Sequence, residues 1–246
     1  MSDQLEKLDH HYDTYRRGSS YDDQMRYYTF QTFKPFLVEK NTTAVEFGCS
    51  DGQMTEWIAG CVKSLDVVDG SMKFLEEAKK RNISNASFSH TLFQDFKTEK
   101  VYDYIFASYI ITHISDLVQF FNKVKQLLKK NGLLFIAVPN SRVLSRQLAL
   151  QMGLLSDLFL LSENDRNHGH CRAYDRTRLN KDLVQNGFEI IAQGGIILKP
   201  LADFQMDKLI DSGVLKREQM EGLYKLGMEY PDLSGALYAV CKLSGK

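Results

Sequence analysis

The sequence has few cysteines and no paired spacing among them. The four cysteines stand at positions 49, 61, 171 and 241, and no Cys-x-x-Cys pair occurs. Disulfide frameworks and zinc sites depend on such pairs. We therefore expect reduced thiols and a cytoplasmic protein.

The sequence also has no excess of either charge and no long apolar run. The 31 Lys and Arg residues balance the 31 Asp and Glu residues, so no basic field favours a nucleic-acid partner. No stretch of about 18 apolar residues occurs, which argues against a membrane helix. Nothing in Met1–Tyr15 predicts an export signal. We expect neither nucleic acid nor membrane as a partner.

Repeats, low-complexity tracts and linkers are absent as well. With 246 residues, of which 43% are hydrophobic, the chain is long enough for one sizeable core. These properties predict a single domain over residues 1–246.

The most informative stretch is a glycine turn that follows a short apolar segment. Residues 44–52 read Ala-Val-Glu-Phe-Gly-Cys-Ser-Asp-Gly, and a helix is predicted from Gln53. Because Gly48 and Gly52 carry no Cβ, a ligand can lie against this backbone. Dinucleotide binding uses Gly-x-Gly-x-x-Gly, whereas adenosyl binding uses an acid followed by Gly-x-Gly-x-Gly. With Glu46 two residues before Gly48, the spacing favours an adenosyl ligand and disfavours a nicotinamide oxidoreductase.

Two further acids follow predicted strands. Asp69 ends the strand Ser64–Val68, about 20 residues after Glu46, where doubly wound folds place a carboxylate for the ribose hydroxyls. Asp95 follows the predicted strand Ala86–Phe93. An acid at that strand tip either faces the ligand or caps a turn.

Together these residues resemble the motifs of class I S-adenosylmethionine-dependent methyltransferases, in particular bacterial enzymes of small-molecule and surface-polysaccharide biosynthesis. The resemblance covers about residues 43–200, and Ser50 replaces the middle glycine of the family pattern. It implies S-adenosylmethionine as cofactor and S-adenosylhomocysteine as product. The positions that it assigns to cofactor binding are Tyr15, Glu46, Gly48, Cys49, Gly52, Asp69, Gly70, Ser71, Met72, Asp95, Phe96 and Ser108.

Strand and helix patterns alternate five times up to Asn140, which predicts an α/β fold with a doubly wound, mostly parallel sheet. The resemblance extends this sheet to seven strands, with N-terminal helices and a helical cap. One predicted helix, Asp116–Lys130, is closed by Asn131-Gly132 as its C-cap before a strand at Leu133–Val138. Within the domain we expect a lid at 1–40, a cofactor-binding half at 43–140, and substrate-wall or cap segments at 141–180 and 201–230.

Three histidines are candidates for a general base. His168 and His170 lie in the polar loop 162–174, and His113 follows the predicted fourth strand. Proton removal is needed if the methyl acceptor is a hydroxyl, and histidine is the usual base. The segment His-Gly-His-Cys-Arg resembles a Gly-His-x-Arg stretch of the bacterial enzymes, which makes His170 the first choice and His168 the second. The alternative is that His170 only holds the loop together.

The same loop carries several arginines, and these suggest an anionic acceptor. Guanidinium groups bind phosphate or carboxylate at two points, which makes Arg166, Arg172 and the nearby Tyr174 candidate substrate contacts. A solvated loop with local Asp–Arg pairs explains the arginines equally well. No Asp, Glu or His cluster has ligand spacing, so we expect no metal.

The sequence thus predicts methyl transfer from S-adenosylmethionine to a small polar metabolite, with or without a phosphate group, preferably on oxygen and in surface-polysaccharide biosynthesis. The alternatives are N-methylation of a small amine and a non-catalytic adenosyl-binding scaffold. Both a monomer and a homodimer are compatible with the sequence.

Overall fold

The computed structural model describes Leu8 and residues 18–245. Tyr15 and the other residues of 1–7 and 9–17 in the predicted lid lie outside the described residues. The prediction that Tyr15 contacts the cofactor therefore stays a prediction.

The structure is built on one seven-stranded sheet with the strand order β3-β2-β1-β4-β5-β7-β6. Strands β1 to β5 pair in parallel, and β7 runs antiparallel between β5 and β6. The strands are β1 (Thr43–Phe47), β2 (Ser64–Asp69), β3 (Ala86–His90), β4 (Tyr102–Ser108), β5 (Leu128–Pro139), β6 (Phe188–Leu198) and β7 (Ser234–Leu243).

Helices connect most of the strands, and the connection from β3 to β4 holds only a 3-10 turn. The α-helices of residues 18–245 are α1 (Ser20–Phe33), α2 (Gln53–Ala59), α3 (Met72–Lys79), α4 (Leu117–Leu127), α5 (Leu144–Gln151), α6 (Glu163–Asn167), α7 (Arg176–Gln185), α8 (Asp203–Asp211) and α9 (Arg217–Glu229). Short 3-10 turns lie at Lys34–Phe36, Phe93–Asp95 and Pro231–Leu233. The predicted doubly wound α/β fold is confirmed.

Helix α1 packs into the core through an aromatic cluster. Phe33 is fully buried, and its ring centroid lies 5.1 Å from that of Phe135 on β5 and 6.3 Å from that of Phe106 on β4. Aromatic rings at such separations stabilise a core beyond the area that they bury. The described N-terminal helix is therefore an integral part of the fold.

The predicted helix C-cap at Asn131-Gly132 is wrong. Helix α4 ends at Leu127, and both residues belong to β5. Leu128 already has extended backbone angles and pairs with Tyr102. The register of the β4–β5 pairing shifts between Tyr102 and Tyr104, so residues 129–132 form an irregularity inside β5 and the Asn-Gly turn preference is accommodated within the strand.

Another boundary also differs from the prediction. Strand β3 ends at His90, and the 3-10 turn Phe93–Asp95 follows in place of its predicted last residues. This difference changes which side chains face the site.

The parallel strands bring their carboxyl ends to one edge of the sheet. Phe47 ends β1, Asp69 ends β2 and Ser108 ends β4, and β1 lies between the other two. Open α/β sheets bind their ligands at such an edge. The site is therefore sought there.

Candidate active site

A cavity of about 650 Å³ lies at this edge of the sheet. It extends from the ends of β1, β2 and β4 to the loop that carries α6 and to the start of β7. Of the residues predicted to bind the cofactor, those that line it are Glu46, Gly48, Cys49, Asp69, Ser71 and Ser108. The three candidate bases, His113, His168 and His170, line it too.

Asp69 is fixed in the cavity wall by backbone donors. Its Oδ2 accepts a hydrogen bond from the N–H of Cys49 at 2.9 Å, and its Oδ1 accepts one from the N–H of Ser71 at 2.8 Å. Burial raises the pKa of Asp69, and these backbone bonds counteract the increase. The Cys49 thiol donates to Oδ2 as well, at 3.5 Å, so the turn after β1 and the start of α3 together hold this carboxylate at the cavity.

The turn between β1 and α2 depends on left-handed backbone conformations. Gly48 and Gly52 have φ angles of 80° and 79°, and Ser50 has 49°. A Cβ on Gly48 would overlap the Cδ1 atom of Ile110, and one on Gly52 would lie 2.7 Å from the Cα of Ala78. Glycine at 48 therefore leaves room for the side chain of Ile110, and glycine at 52 lets α2 pack closely on α3.

Glu46 is a buried acid that faces the cavity with only 3% of its surface exposed. Burial, with a smaller contribution from the charge of Asp69, raises its pKa to about 8 against the lowering effect of a 2.6 Å hydrogen bond from the Thr55 hydroxyl. At neutral pH this side chain is largely protonated.

The prediction that Asp95 faces the ligand is not supported by the geometry. Asp95 is exposed, whereas its neighbour Gln94 lines the cavity. Phe96, predicted to donate through its backbone, is buried against Phe47 with ring centroids 6.5 Å apart, and its N–H already bonds to Phe93. The 3-10 turn shifts the facing position by one residue.

Three other residues predicted to bind the cofactor lie outside the cavity lining. Gly52 packs against α3 as described above, and the carbonyl of Gly70 accepts a hydrogen bond from His90 Nε2 at 3.0 Å. Met72 begins α3 and is 36% exposed.

Several buried polar atoms of this cavity have no hydrogen-bond partner among the described residues. They are the hydroxyls of Tyr21, Ser50 and Ser108 and the Oε1 atom of Gln94, and all four residues line the cavity. Unpaired buried polar atoms are rare because each costs about 1–3 kcal/mol. A polar ligand that pairs with them removes this cost. The sequence offered no pattern that singled out Tyr21 or Gln94.

His170 forms a pair with Asp165. The sequence predicted no role for Asp165. His170 Nδ1 lies 3.5 Å from Asp165 Oδ1, and Oδ2 of the same carboxylate accepts 2.8 Å hydrogen bonds from the N–H and the hydroxyl of Ser162. Burial alone would raise the pKa of Asp165, but the His170 and Ser162 hydrogen bonds hold it well below its ordinary value. The carboxylate is therefore anionic at neutral pH and faces the imidazole. The ring of His113 lies beside this pair, with its centroid 4.7 Å from the ring centroid of His170.

None of the predicted substrate contacts lines the large cavity. Arg166 is exposed and donates to the carbonyl of Leu161 at 2.7 Å. Arg172 donates to the carbonyls of Ile114 and Ser115. Tyr174 is buried, with its hydroxyl 3.0 Å from Asp182. Arg172 and Tyr174 line a smaller cavity beside the large one, so their contact with a substrate stays a prediction.

No cluster of three or more His, Cys, Asp and Glu side chains within the described ranges is arranged to hold a metal ion. Among the described helices, none has the length and apolar character needed to cross a membrane.

With this geometry established, comparison with known proteins assigns the family. A sequence profile described as a methyltransferase domain matches residues 21–193. The chain belongs to the methyltransferase domain family.

Two curated members with related sequences carry the same name. The ubiquinone biosynthesis O-methyltransferase of Pelagibacter ubique is 29% identical over 136 residues, which cover 52% of this chain and 57% of that enzyme. The enzyme of that name from Rickettsia canadensis is 22% identical over 175 residues, which cover 66% of this chain and 72% of that enzyme. The match thus spans little more than half the length of the Pelagibacter methyltransferase.

Solved methyltransferase structures share the fold. A DhpI–SAM–HEP complex superposes with a TM-score of 0.64 at 14% identity, covering 98% of this chain and 96% of that one. The N-methyltransferase NodS from Bradyrhizobium japonicum gives 0.56 at 15% identity, covering 91% and 98%. At such identities the likeness shows the fold alone.

Family membership confirms the resemblance drawn from the sequence, the enzyme class and S-adenosylmethionine as the cofactor of that class. The roles of individual residues stay predictions. Neither curated relative is named for surface-polysaccharide biosynthesis, and that predicted setting gains no support.

Proposed function

We propose that this methyltransferase transfers the methyl group of S-adenosylmethionine to the oxygen of a phenolic hydroxyl on a small molecule. The observation that carries the proposal is the Asp165–His170 pair, which lines the same cavity as the strand ends. An oxygen acceptor must lose its proton during transfer, whereas an uncharged amine needs no strong base. A preorganised acid–histidine pair therefore favours an oxygen acceptor.

The residues at the strand ends fit the adenosyl cofactor. The Asp69 carboxylate, which ends β2 and lines the cavity, suits its ribose hydroxyls. The unpaired Ser50, Gln94 and Ser108 atoms suit other polar groups of the same molecule. When bound, the cofactor supplies an electrophilic methyl group on its sulfonium. Because this carbon is already reactive, the protein mainly has to position the acceptor and remove its proton.

His170 is placed to take that proton at Nε2. The Asp165 carboxylate faces Nδ1, which favours the tautomer with hydrogen on Nδ1 and leaves the Nε2 lone pair available. The anionic Asp165 also stabilises the imidazolium that results. A phenol, with an ordinary pKa of about 10, gives up its proton to an imidazole far more readily than an aliphatic alcohol. This match in acidity is the reason for choosing a phenol.

The cavity walls agree with an aromatic acceptor. Apolar side chains such as Met25, Met54, Phe93 and Ile114 contribute to the lining, and such surfaces hold a ring while a few polar groups orient it. Both curated relatives are named as O-methyltransferases of ubiquinone biosynthesis, which supports transfer to oxygen. The comparisons do not favour the phosphate-bearing acceptor predicted from the sequence.

The proposal is tested with acceptors that share a dihydroxylated ring. Full-length protein is incubated with labelled S-adenosylmethionine and catechol, 3,4-dihydroxybenzoate or dopamine, and products are identified by mass spectrometry. We expect methoxy products. Methylation of only the dopamine nitrogen would replace the proposal by amine methylation, and cofactor binding without turnover of any acceptor would favour the non-catalytic scaffold.

The base is tested by substitution. His170→Ala is expected to reduce kcat for O-methylation by about 10²-fold or more, with cofactor affinity unchanged. Lys181→Ala is the control, because Lys181 on α7 is exposed and lies outside this cavity. Equal activity of the two variants would remove His170 from the mechanism.

A further inference from the structure

A second cavity, of about 300 Å³, adjoins the large one. The residues that line both are Pro139, Asp165, His170, Lys199, Asp203 and Gly235. The second cavity therefore begins at the proposed base, and a molecule whose hydroxyl faces His170 can extend a substituent into it.

The walls of the second cavity carry a small positive excess. Three cationic side chains line it, Arg146, Arg172 and Lys199, against the two carboxylates of Asp165 and Asp203. Net charge of one sign in a partly enclosed space favours a ligand group of the opposite sign. A substituent with a single negative charge balances this excess.

Lys199 is the cation at the junction of the two cavities. It follows β6, its side chain is 14% exposed, and its ammonium group pairs with Asp203. An ammonium group has three donors, and the pair with Asp203 leaves donors for a ligand. The ring of Tyr21 lies beside it, with its centroid 5.3 Å from Lys199 Nζ.

Tyr21 adds an uncharged donor at the same place. It is 3% exposed, and its hydroxyl has no partner among the described residues. Burial, together with the negative charge of Asp203, raises its pKa well above the ordinary value, so the hydroxyl keeps its proton. Gly235 leaves space at this hydroxyl, since a Cβ there would overlap the oxygen.

The position of Tyr21 is set by the contact between α1 and α8. Asp207 Oδ1 accepts a 3.0 Å hydrogen bond from the N–H of Tyr21 and a 2.8 Å bond from the hydroxyl of Ser19. Ser20 donates to Asp211 at 2.5 Å. These bonds fix the first turn of α1 over the cavity, which makes the tyrosine a preorganised part of the wall.

We propose that Lys199 Nζ and Tyr21 Oη bind a carboxylate of the methyl acceptor at the junction of the two cavities. This inference rests on the proposed function, because it assigns the acceptor of that same site. It predicts that the acceptor carries a carboxylate in addition to the hydroxyl that faces His170. The two groups together fix the orientation of the ring.

The test compares two probes that differ only in the carboxylate. Binding of 3,4-dihydroxybenzoate and of catechol to the full-length protein saturated with S-adenosylhomocysteine is measured by isothermal titration. We expect the carboxylate probe to bind at least about tenfold more tightly, since hydrogen bonds to charged groups contribute this much or more. Lys199→Met is expected to abolish the preference, and Tyr21→Phe, which preserves the ring, to reduce it several-fold.

Lys208→Met is the matched control, because Lys208 belongs to α8, next to the ring of Phe204, and lines neither cavity. Equal binding of the two probes to the wild type, binding of neither, or an undiminished preference in Lys199→Met would overturn the inference. The assay requires no turnover. A retained preference in a protein that transfers no methyl group would contradict the proposed function and leave this subsite standing.

Discussion

Asp165 and His170 are joined twice: His170 Nδ1 lies 3.5 Å from Asp165 Oδ1, and the N–H of His170 donates to the carbonyl of Asp165 at 2.9 Å. The main-chain bond holds the two residues close together, so that their side chains can pair. This double connection turns two residues of a polar segment into one preorganised unit.

Asp165→Asn is expected to lower kcat for O-methylation by about tenfold or more while changing KM little. The amide neither stabilises an imidazolium nor enforces the Nδ1–H tautomer. Steady-state kinetics with a competent acceptor checks this. Asp157→Asn, in an exposed part of the same loop region, serves as the control, and a purely raised KM in Asp165→Asn would point to acceptor binding instead.

The same carboxylate makes stability depend on acidic pH. Because the pKa of Asp165 is lowered in the folded state, its contribution is fully present above about pH 4 and is lost as pH falls toward the lowered pKa. Wild type and Asp165→Asn should therefore differ more in unfolding free energy at pH 6 than at pH 3. Urea titrations at both pH values measure this difference, and a constant difference would contradict the lowered pKa.

Glu46 produces the opposite dependence. Its pKa is raised to about 8 by burial, so its contribution is fully present below about pH 4 and is lost as pH rises through 8. Between about pH 4 and pH 8, the raised pKa of Glu46 lowers the free energy of unfolding by up to about 1.4 kcal/mol per pH unit. Glu46→Gln should flatten the pH profile of unfolding between pH 5 and 8, whereas Glu56→Gln, at an exposed position, should leave it unchanged. Equal profiles for wild type and Glu46→Gln would show that Glu46 ionises normally.

Gln94 and Asp95 give a direct test of the strand-tip geometry. Gln94→Leu is expected to weaken S-adenosylhomocysteine binding about five- to tenfold, because it removes the unpaired Oε1 atom from the cavity wall. Asp95→Ala should stay within twofold, since Asp95 is exposed. Calorimetric titration of both variants with S-adenosylhomocysteine measures these changes in affinity. The reverse order would restore the role that the sequence analysis gave to Asp95.

Alanine substitutions at Gly48 and Gly213 distinguish the effect of backbone strain from the effect of a clash with a neighbouring side chain. Both have positive φ, at 80° and 74°, so alanine costs about 1–2 kcal/mol at either position. Only at Gly48 would the new Cβ overlap a neighbour, Ile110, whereas the space at Gly213 is open. We expect a loss of cofactor affinity of at least tenfold for Gly48→Ala and none for Gly213→Ala. Comparable cofactor affinities of the two variants would mean that the Ile110 side chain moves away from the new Cβ at little cost.

The strands were largely predictable from the sequence. Strand β2 begins at Ser64 and ends at Asp69 as predicted, and the predicted strand Leu133–Val138 lies within β5, because apolar runs between turn residues have few other ways to be buried. The acids at strand ends followed from topology, since parallel strands place their carboxyl ends at one edge. Asp69 lies in the cavity wall for that reason.

Residues outside the alternating pattern were less predictable. The arginines of the polar loop were expected to contact the substrate, yet Arg166 and Arg172 bond to backbone carbonyls. Nothing local distinguishes a guanidinium that faces a ligand from one that holds a loop. Tyr21 likewise has no local pattern that distinguishes it from a tyrosine of the core.

The sequence by itself determined the order of strands and helices, the glycine turn and the acid at the end of β2. These depend on periodicity and backbone sterics, which act over a few residues. Only the tertiary structure decided that Gln94 rather than Asp95 faces the cavity, that Asp165 pairs with His170, and that Tyr21 lies beside Lys199. Those arrangements depend on the register of a 3-10 turn and on contacts between distant segments, where competing partners are settled by packing.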